Sequence, residues 1–237
     1  MLRYFLCFFI FMMNFKTLSQ NQFSAKALTG RGDLTLVGTS FKLQKEAFDA
    51  FQEMKKAALE EGITIKIVSG YRSFNRQKKI WNRKYNSYIS QGLMPDEALQ
   101  KIIEYSTLPG SSRHHWGTDI DIIDASVQAP SNLLNKINYE KDGAYFELKE
   151  WMDKNAESFG FYLVYTNNLE RKGFKYEPWH YTYKPLSKPM LNAFKRIDLI
   201  TFYKNLKLNG NQYLTREFIV KYSLENILDI NPSLLDD

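Results

Sequence analysis

Cysteine is almost missing from this chain: Cys7 is the only one among 237 residues. It lies inside an apolar run and follows no small-residue acceptor site, so a lipoprotein anchor has no support. A lone thiol excludes an intramolecular disulfide, and no thiolate remains downstream to ligate a metal. Any metal site in the body of the protein must therefore use histidine and carboxylate. Histidine is nearly as scarce, with three residues confined to two short segments. Long apolar runs are also lacking, since Tyr4 to Met13 falls short of the ~20 residues of a membrane-spanning helix. No internal repeat or low-complexity tract is present.

What remains is the composition of a folded protein, 44% hydrophobic, 24% charged and 15% aromatic. The length suits one catalytic core with extensions. Residues 1–19 read as a secretory signal, with Arg3 as the positive start and Tyr4 to Met13 as the apolar stretch. Cleavage is expected before Gln20, with an uncleaved amphiphilic anchor as the alternative. Either way the expectation is export, to a periplasmic or extracellular location, with no stable membrane span after signal cleavage. The formal charge of +6 includes Arg3 and Lys16, whose loss with the signal leaves +4. Scattered lysines of this kind form a solvated surface, or attract an anionic polymer such as a cell wall; they do not require nucleic acid.

Residues 20–40 are polar and read as an extended lead-in, with Arg31-Gly32-Asp33 as a turn. From Lys42 to Glu61, Leu43, Ala47, Phe48, Phe51, Met54, Ala58 and Leu59 recur at spacings of three and four, predicting an amphipathic helix that Gly62 stops. Ile63, Ile65 and Ile67 then alternate with Thr64, Lys66 and Val68, as in a half-buried strand ending at Ser69-Gly70. Helical spacing returns over Asn75 to Ile89 and Pro95 to Tyr105. Pro109 to Ser112 reads as loop. Gly117 to Asp124 alternates as a strand with one acidic face, carrying Asp119 and Asp121. A helix over Gly143 to Phe159 and strands over Phe161 to Thr166 and Lys175 to Tyr183 follow. Beyond Pro185 the pattern is lysine-rich and helical, over Pro189 to Leu206 and Thr215 to Leu228, and predicts a helical appendage packed on the core.

The histidines lie in Ser111-Ser112-Arg113-His114-His115-Trp116-Gly117 and in Glu177-Pro178-Trp179-His180-Tyr181. A catalytic zinc site needs three protein ligands and an open fourth position for water, and His114, Asp121 and His180 offer such a set. Glu177 is then a candidate base for a water whose pKa the cation lowers to about 7. In a regular strand, residues three apart face opposite sides, so Glu177 and His180 need an irregular backbone between them. Pro178, which cannot donate to a strand ladder, supplies a reason for one. The alternative leaves Glu177 as a solvated surface acid. Arg72, in Ser69-Gly70-Tyr71-Arg72-Ser73, is either a surface arginine or a fixed guanidinium for an oxyanion or a substrate carboxylate.

Three motifs in order carry a resemblance: Ser69 to Ser73 with Gln77; Ser112, His114, Gly117 and Asp121; and Glu177, Trp179 and His180. Together they resemble the S-G-[YF]-R-S, S-x-H-x-x-G-x-A-x-D and E-x-W-H segments of the zinc D-alanyl-D-alanine carboxypeptidases. That family includes the vancomycin-resistance carboxypeptidases and related L,D-carboxypeptidases and dipeptidases. The resemblance spans roughly Phe41 to Tyr183. It implies an α+β fold, a small antiparallel sheet flanked by helices (hedgehog-like), forming a peptidase domain over 41–184 with a helical C-terminal extension over 185–237. It further implies Zn2+ held by His114, Asp121 and His180, base catalysis by Glu177, transition-state stabilisation by Arg72, and substrate contacts from Gln77 and Ser112. The family spacing favours His114 over the adjacent His115. Asp119 occupies a position where the family usually has alanine, leaving it to bind a substrate amine, to tune the metal or simply to be hydrogen-bonded.

The expected function is hydrolysis of a peptide bond near the carboxyl end of peptidoglycan stem peptides. The alternatives are a non-catalytic peptidoglycan-binding protein on the same fold and an endopeptidase that cleaves cross-links.

Overall fold

The computed structural model describes residues 23–235; the stretch read as a secretory signal, residues 1–19, lies outside them. Element by element the chain runs α1 (Ala25–Leu28), β1 (Leu36–Val37), β2 (Leu43–Gln44), α2 (Lys45–Glu60), β3 (Ile65–Ser69), α3 (Phe74–Ser90) and α4 (Pro95–Ile102). It continues with β4 (Asp119–Asp124), α5 (Phe146–Asn155), β5 (Phe161–Leu163), β6 (His180–Tyr183), α6 (Lys184–Phe194), α7 (Leu199–Lys204) and α8 (Arg216–Tyr222). The central sheet is antiparallel throughout, in the order β3-β4-β6-β5, and helices flank it. This is the α+β arrangement expected from the sequence.

The long helix α2 forms where apolar spacing predicts it, burying Ala47, Phe51, Met54 and Ala58 on one stripe. It starts later than Lys42 because Leu43 and Gln44 pair with Leu36 and Val37 as a short ribbon. At its other end the Gly62 and Ile63 amides return to Leu59 O and Ala58 O, which closes the last turn. The stripe packs with Ile65, Ile120, Ile122, Leu148, Trp151 and Phe161 into one core.

A second core involves the C-terminal helices. Met190, Leu191, Phe194, Tyr203, Ile219 and Tyr222 pack with Trp81, Leu99, Ile102, Leu108 and Trp116. The segment beyond residue 185 thus shares a core with residues of α3, α4 and the stretch that leads to β4. Its helices are more broken than the periodicity predicts, because Asp198 caps a new helix by accepting from Thr201 N at 3.1 Å. The lead-in is likewise not all extended: Ser24 caps α1, and the buried Leu28 presents its carbonyl to Trp116 Nε1 at 3.1 Å. No helix among the described residues is long and apolar enough to cross a membrane.

Candidate metal centre

Antiparallel register brings the candidate ligands together. In β4, Asp121 lies opposite His180 of β6 on one side and opposite Ser69 at the end of β3 on the other. Cross-strand partners share a face, so Asp121 and His180 project to the same side, and Asp119 with its partner Thr182 does too. The third ligand comes from a 3₁₀ turn, Arg113–Trp116, that the sequence does not announce. Gly117 ends this turn at φ +67°, and a Cβ there would come within 2.7 Å of Leu36 Cδ2, so glycine suits both backbone and space.

Ligand atoms of His114, Asp121 and His180 all lie within 4.8 Å of one another, and all three side chains are buried. His114 Nδ1 lies 2.9 Å from Gly70 O, to which it donates, leaving Nε2 as the free lone pair. That Nε2 is 3.3 Å from Asp121 Oδ2. Metal bonds of ~2.0–2.1 Å at tetrahedral angles put neighbouring ligand atoms ~3.3 Å apart, so this pair already has the right separation. His180 Nδ1 sits 3.7 Å from Asp121 Oδ1, and its Nε2 faces Asp119 Oδ1 at 3.0 Å. Two imidazoles and a carboxylate, with no thiolate, fit a catalytic zinc site.

Glu177 lies before β6 in a turn, not within a strand as predicted, and the turn is closed by His180 N donating to Glu177 O at 3.1 Å. Pro178 sits inside this turn, and the irregular backbone lets both side chains face one side. Glu177 Oε2 is accordingly 3.0 Å from His180 Nδ1. Burial raises the Glu177 pKa, against the lowering effect of His180. Burial alone would favour a neutral His180, but its bonds to Asp119 and Glu177 push its pKa up to about 10. Burial would likewise raise Asp121, yet the neighbouring His114 holds it at about 2.

Arg72 is fixed by Gln77 Oε1 at 2.8 Å and Ser69 Oγ at 3.0 Å, with Nη2 3.9 Å from Asp121 Oδ2. Its Nε is buried without a partner. Gln77, expected from the resemblance as a substrate contact, holds Arg72 from behind. It is fully buried, its amide donates to Thr107 O at 2.8 Å, its Oε1 accepts from Arg72, and it is not among the residues that line the cavity. Ser112 does line the cavity. His115 points away from the ligand cluster, with Nδ1 2.5 Å from Arg72 O and Nε2 3.0 Å from Gly110 N. A neutral ring with its proton on Nδ1 satisfies both bonds, and burial lowers its pKa to about 3. Gly30, at φ +70°, packs its Cα against this ring, where a side chain would collide.

Periodicity gave no sign of Arg113, Thr118 and Thr182, which surround Asp119, or of the aromatic wall. Tyr165, Phe174, Trp179 and Tyr105 line a cavity of about 460 Å³ together with Arg72, Glu177 and the three ligands. The Tyr165 ring meets His180 edge-on, with centroids 5.1 Å apart. The only sequence clue was the aromatic richness of the second histidine segment.

The family model described as VanY: D-alanyl-D-alanine carboxypeptidase matches residues 40–186. The chain belongs to this family. Among curated relatives, an uncharacterised protein of Haemophilus influenzae is 40% identical over 83 residues, covering 34% of this chain and 63% of that one. A D-alanyl-D-alanine carboxypeptidase of Enterococcus faecalis is 29% identical over 133 residues, 56% of this chain and 44% of the relative. The chain thus spans only part of these two relatives, between 44% and 63% of their length. A zinc complex of a vancomycin-resistance D,D-pentapeptidase, VanY, superposes with a TM-score of 0.53 at 24% identity, over 77% of this chain and 90% of that one. This likeness establishes the shared fold.

Proposed function

We propose that the protein is an exported zinc-dependent carboxypeptidase that hydrolyses the terminal peptide bond of peptidoglycan stem peptides of the D-Ala-D-Ala type. One observation carries the reading: His114, Asp121 and His180 converge within 4.8 Å, and Glu177 stands 3.0 Å from a ligand nitrogen in the same cavity. The names of the Enterococcus carboxypeptidase and of the zinc-bound VanY neighbour support the substrate and the metal. Arg3 and the apolar run after it support export.

Zinc, when bound, supplies a Lewis acid and makes a coordinated water acidic near neutral pH. Glu177, with a pKa raised by burial, is suited to take the water's proton and deliver it to the leaving amine nitrogen. Arg72 lines the cavity with Nη2 3.9 Å from Asp121 Oδ2, which puts a guanidinium donor near the ligands for the oxyanion that forms as the carbonyl is attacked. The tethers to Gln77 and Ser69 hold the guanidinium in place before substrate arrives. The aromatic wall excludes water from one side of the cavity and gives the peptide an apolar surface.

The test is digestion of defined pentapeptide, tetrapeptide and cross-linked stems by zinc-loaded protein, followed by mass analysis. Loss of one terminal residue from the pentapeptide is the expected result. Release of cross-linked halves would make the enzyme an endopeptidase, and binding without any product would make it a peptidoglycan-binding protein. Glu177→Ala should abolish trimming while the protein still carries about one zinc.

A further inference from the structure

Asp119 is a fully buried carboxylate (0% exposed) that the catalytic assignment leaves unused. Four groups converge on it. Oδ1 accepts from Arg113 Nε at 3.0 Å and faces His180 Nε2 at 3.0 Å. Oδ2 accepts from the hydroxyls of Thr118 and Thr182, each at 2.7 Å. Asp119 does not line the catalytic cavity, so a substrate amine has no route to it. Nor does it belong to the ligand cluster. It meets His180 at Nε2, whereas Asp121 and Glu177 lie on the Nδ1 side of the ring.

A histidine that ligates a metal through one nitrogen keeps its proton on the other, and a fixed acceptor for that proton sets both tautomer and ring direction. We propose that Asp119 is a positioning residue that holds the proton of His180 on Nε2 and directs the Nδ1 lone pair to the metal; this rests on the zinc reading above. The arrangement is rigid behind Asp119 as well. Arg113 donates its Nη2 to Thr182 Oγ1 at 3.1 Å, and its guanidinium lies 4.7 Å from the Trp116 ring centroid. Thr182 stands opposite Asp119 in the β4–β6 register, so the sheet itself fixes one of the donors. Asp119, Arg113 and the two threonines thus form a polar layer behind the ligands in which every Asp119 oxygen is engaged twice.

The test compares wild type with Asp119→Ala and Asp119→Asn by zinc affinity, from competition with a chromophoric chelator, and by nitrogen NMR of the His180 ring in zinc-loaded protein. Removing such a partner is expected to weaken zinc binding about 10–100-fold, with the His180 nitrogen signals shifted and broadened in Asp119→Ala. Asp119→Asn, which keeps a neutral acceptor, should fall between. Because Asp119→Ala strands the Arg113 charge, the double variant Arg113→Met with Asp119→Ala removes the buried pair together and is expected to show the same weakening. Circular dichroism verifies the fold of each. Tight wild-type binding with unchanged affinity in folded variants would overturn the role of Asp119 alone. Wild type without zinc affinity would overturn the zinc reading and this inference with it.

Discussion

His115 and His180 are both buried, yet their surroundings shift them in opposite directions, with consequences for stability in metal-free protein. His115 is kept neutral, its pKa lowered to about 3 by burial from an ordinary value of ~6.5. Its contribution is present above ~pH 6.5 and is lost as pH falls from there toward about 3, because the unfolded chain takes up the proton first. His180 is raised to about 10, so its contribution is present below ~pH 6.5 and is lost as pH rises through about 10. Denaturant unfolding of chelator-treated protein should therefore show maximal stability near pH 6.5. His115→Gln should flatten the acid limb, and on the proposed zinc site a zinc-loaded sample should lose the alkaline limb, because a ligated His180 would no longer gain a proton there. At Arg72 the expectation concerns rate. Arg72→Lys keeps the charge but not the fork that binds Gln77 and Ser69, and should lower kcat by about 10²-fold or more at unchanged zinc content. Steady-state kinetics beside metal analysis would verify this.

At the scale of elements, the loop that leads to His114 is held from outside the family-matched region. Tyr222, on α8, receives Leu108 N–H at its hydroxyl at 3.0 Å and lies 2.9 Å from Ser111 Oγ. Tyr222→Phe leaves a buried amide unpaired and should cost about 1–3 kcal/mol, read from denaturant midpoints. It should also loosen the His114 turn, seen as weaker zinc binding without loss of the fold. Helices such as α2 were legible in the sequence because a single apolar stripe repeats every three or four residues: Ala47, Phe51, Met54 and Ala58 are all buried. Phe51→Ala should cost about 3–5 kcal/mol, since Phe51 is buried in the core that also holds Leu43 and Ile65, with the Phe41 ring edge-on to it at 5.7 Å. The β5 and β6 strands are shorter than predicted: the regular register ends at Leu163 opposite Tyr181, and beyond it only single bonds, Val164 N to His180 O and Glu177 N to Tyr165 O, link the two segments. Pro178 breaks the ladder, and the resulting turn, closed by the His180 amide, frees Glu177 to face its ligand. The 3₁₀ turn at Arg113–Trp116 was not legible at all, since four residues are too few to establish a period.

For the molecule as a whole, the C-terminal helices are expected to behave as part of the catalytic fold. Trp81, in α3, donates its indole N–H to Asn209 O at 3.0 Å, and Leu99 and Ile102 share a core with Tyr203 and Ile219. A chain ending after Phe194 should lose cooperative unfolding or fail to accumulate as folded protein, as calorimetry would show. Zinc, bound only by the folded state, should raise the unfolding temperature in proportion to the logarithm of its free concentration. The sequence by itself determined the donor chemistry: with Cys7 alone in the N-terminal apolar run, only histidine and carboxylate were available downstream, and the motif resemblance pointed to His114, Asp121 and His180. It also determined the main helices, because periodic burial is a local property. Only the tertiary structure decided that Gln77 serves Arg72, that His115 clamps two loops and that Asp119 stands behind His180. Those roles depend on which nitrogen or oxygen meets which donor across strand register and loop packing. Residues such as Asp119 and Thr182, 63 positions apart along the chain, acquire a common function only when β4 and β6 pair.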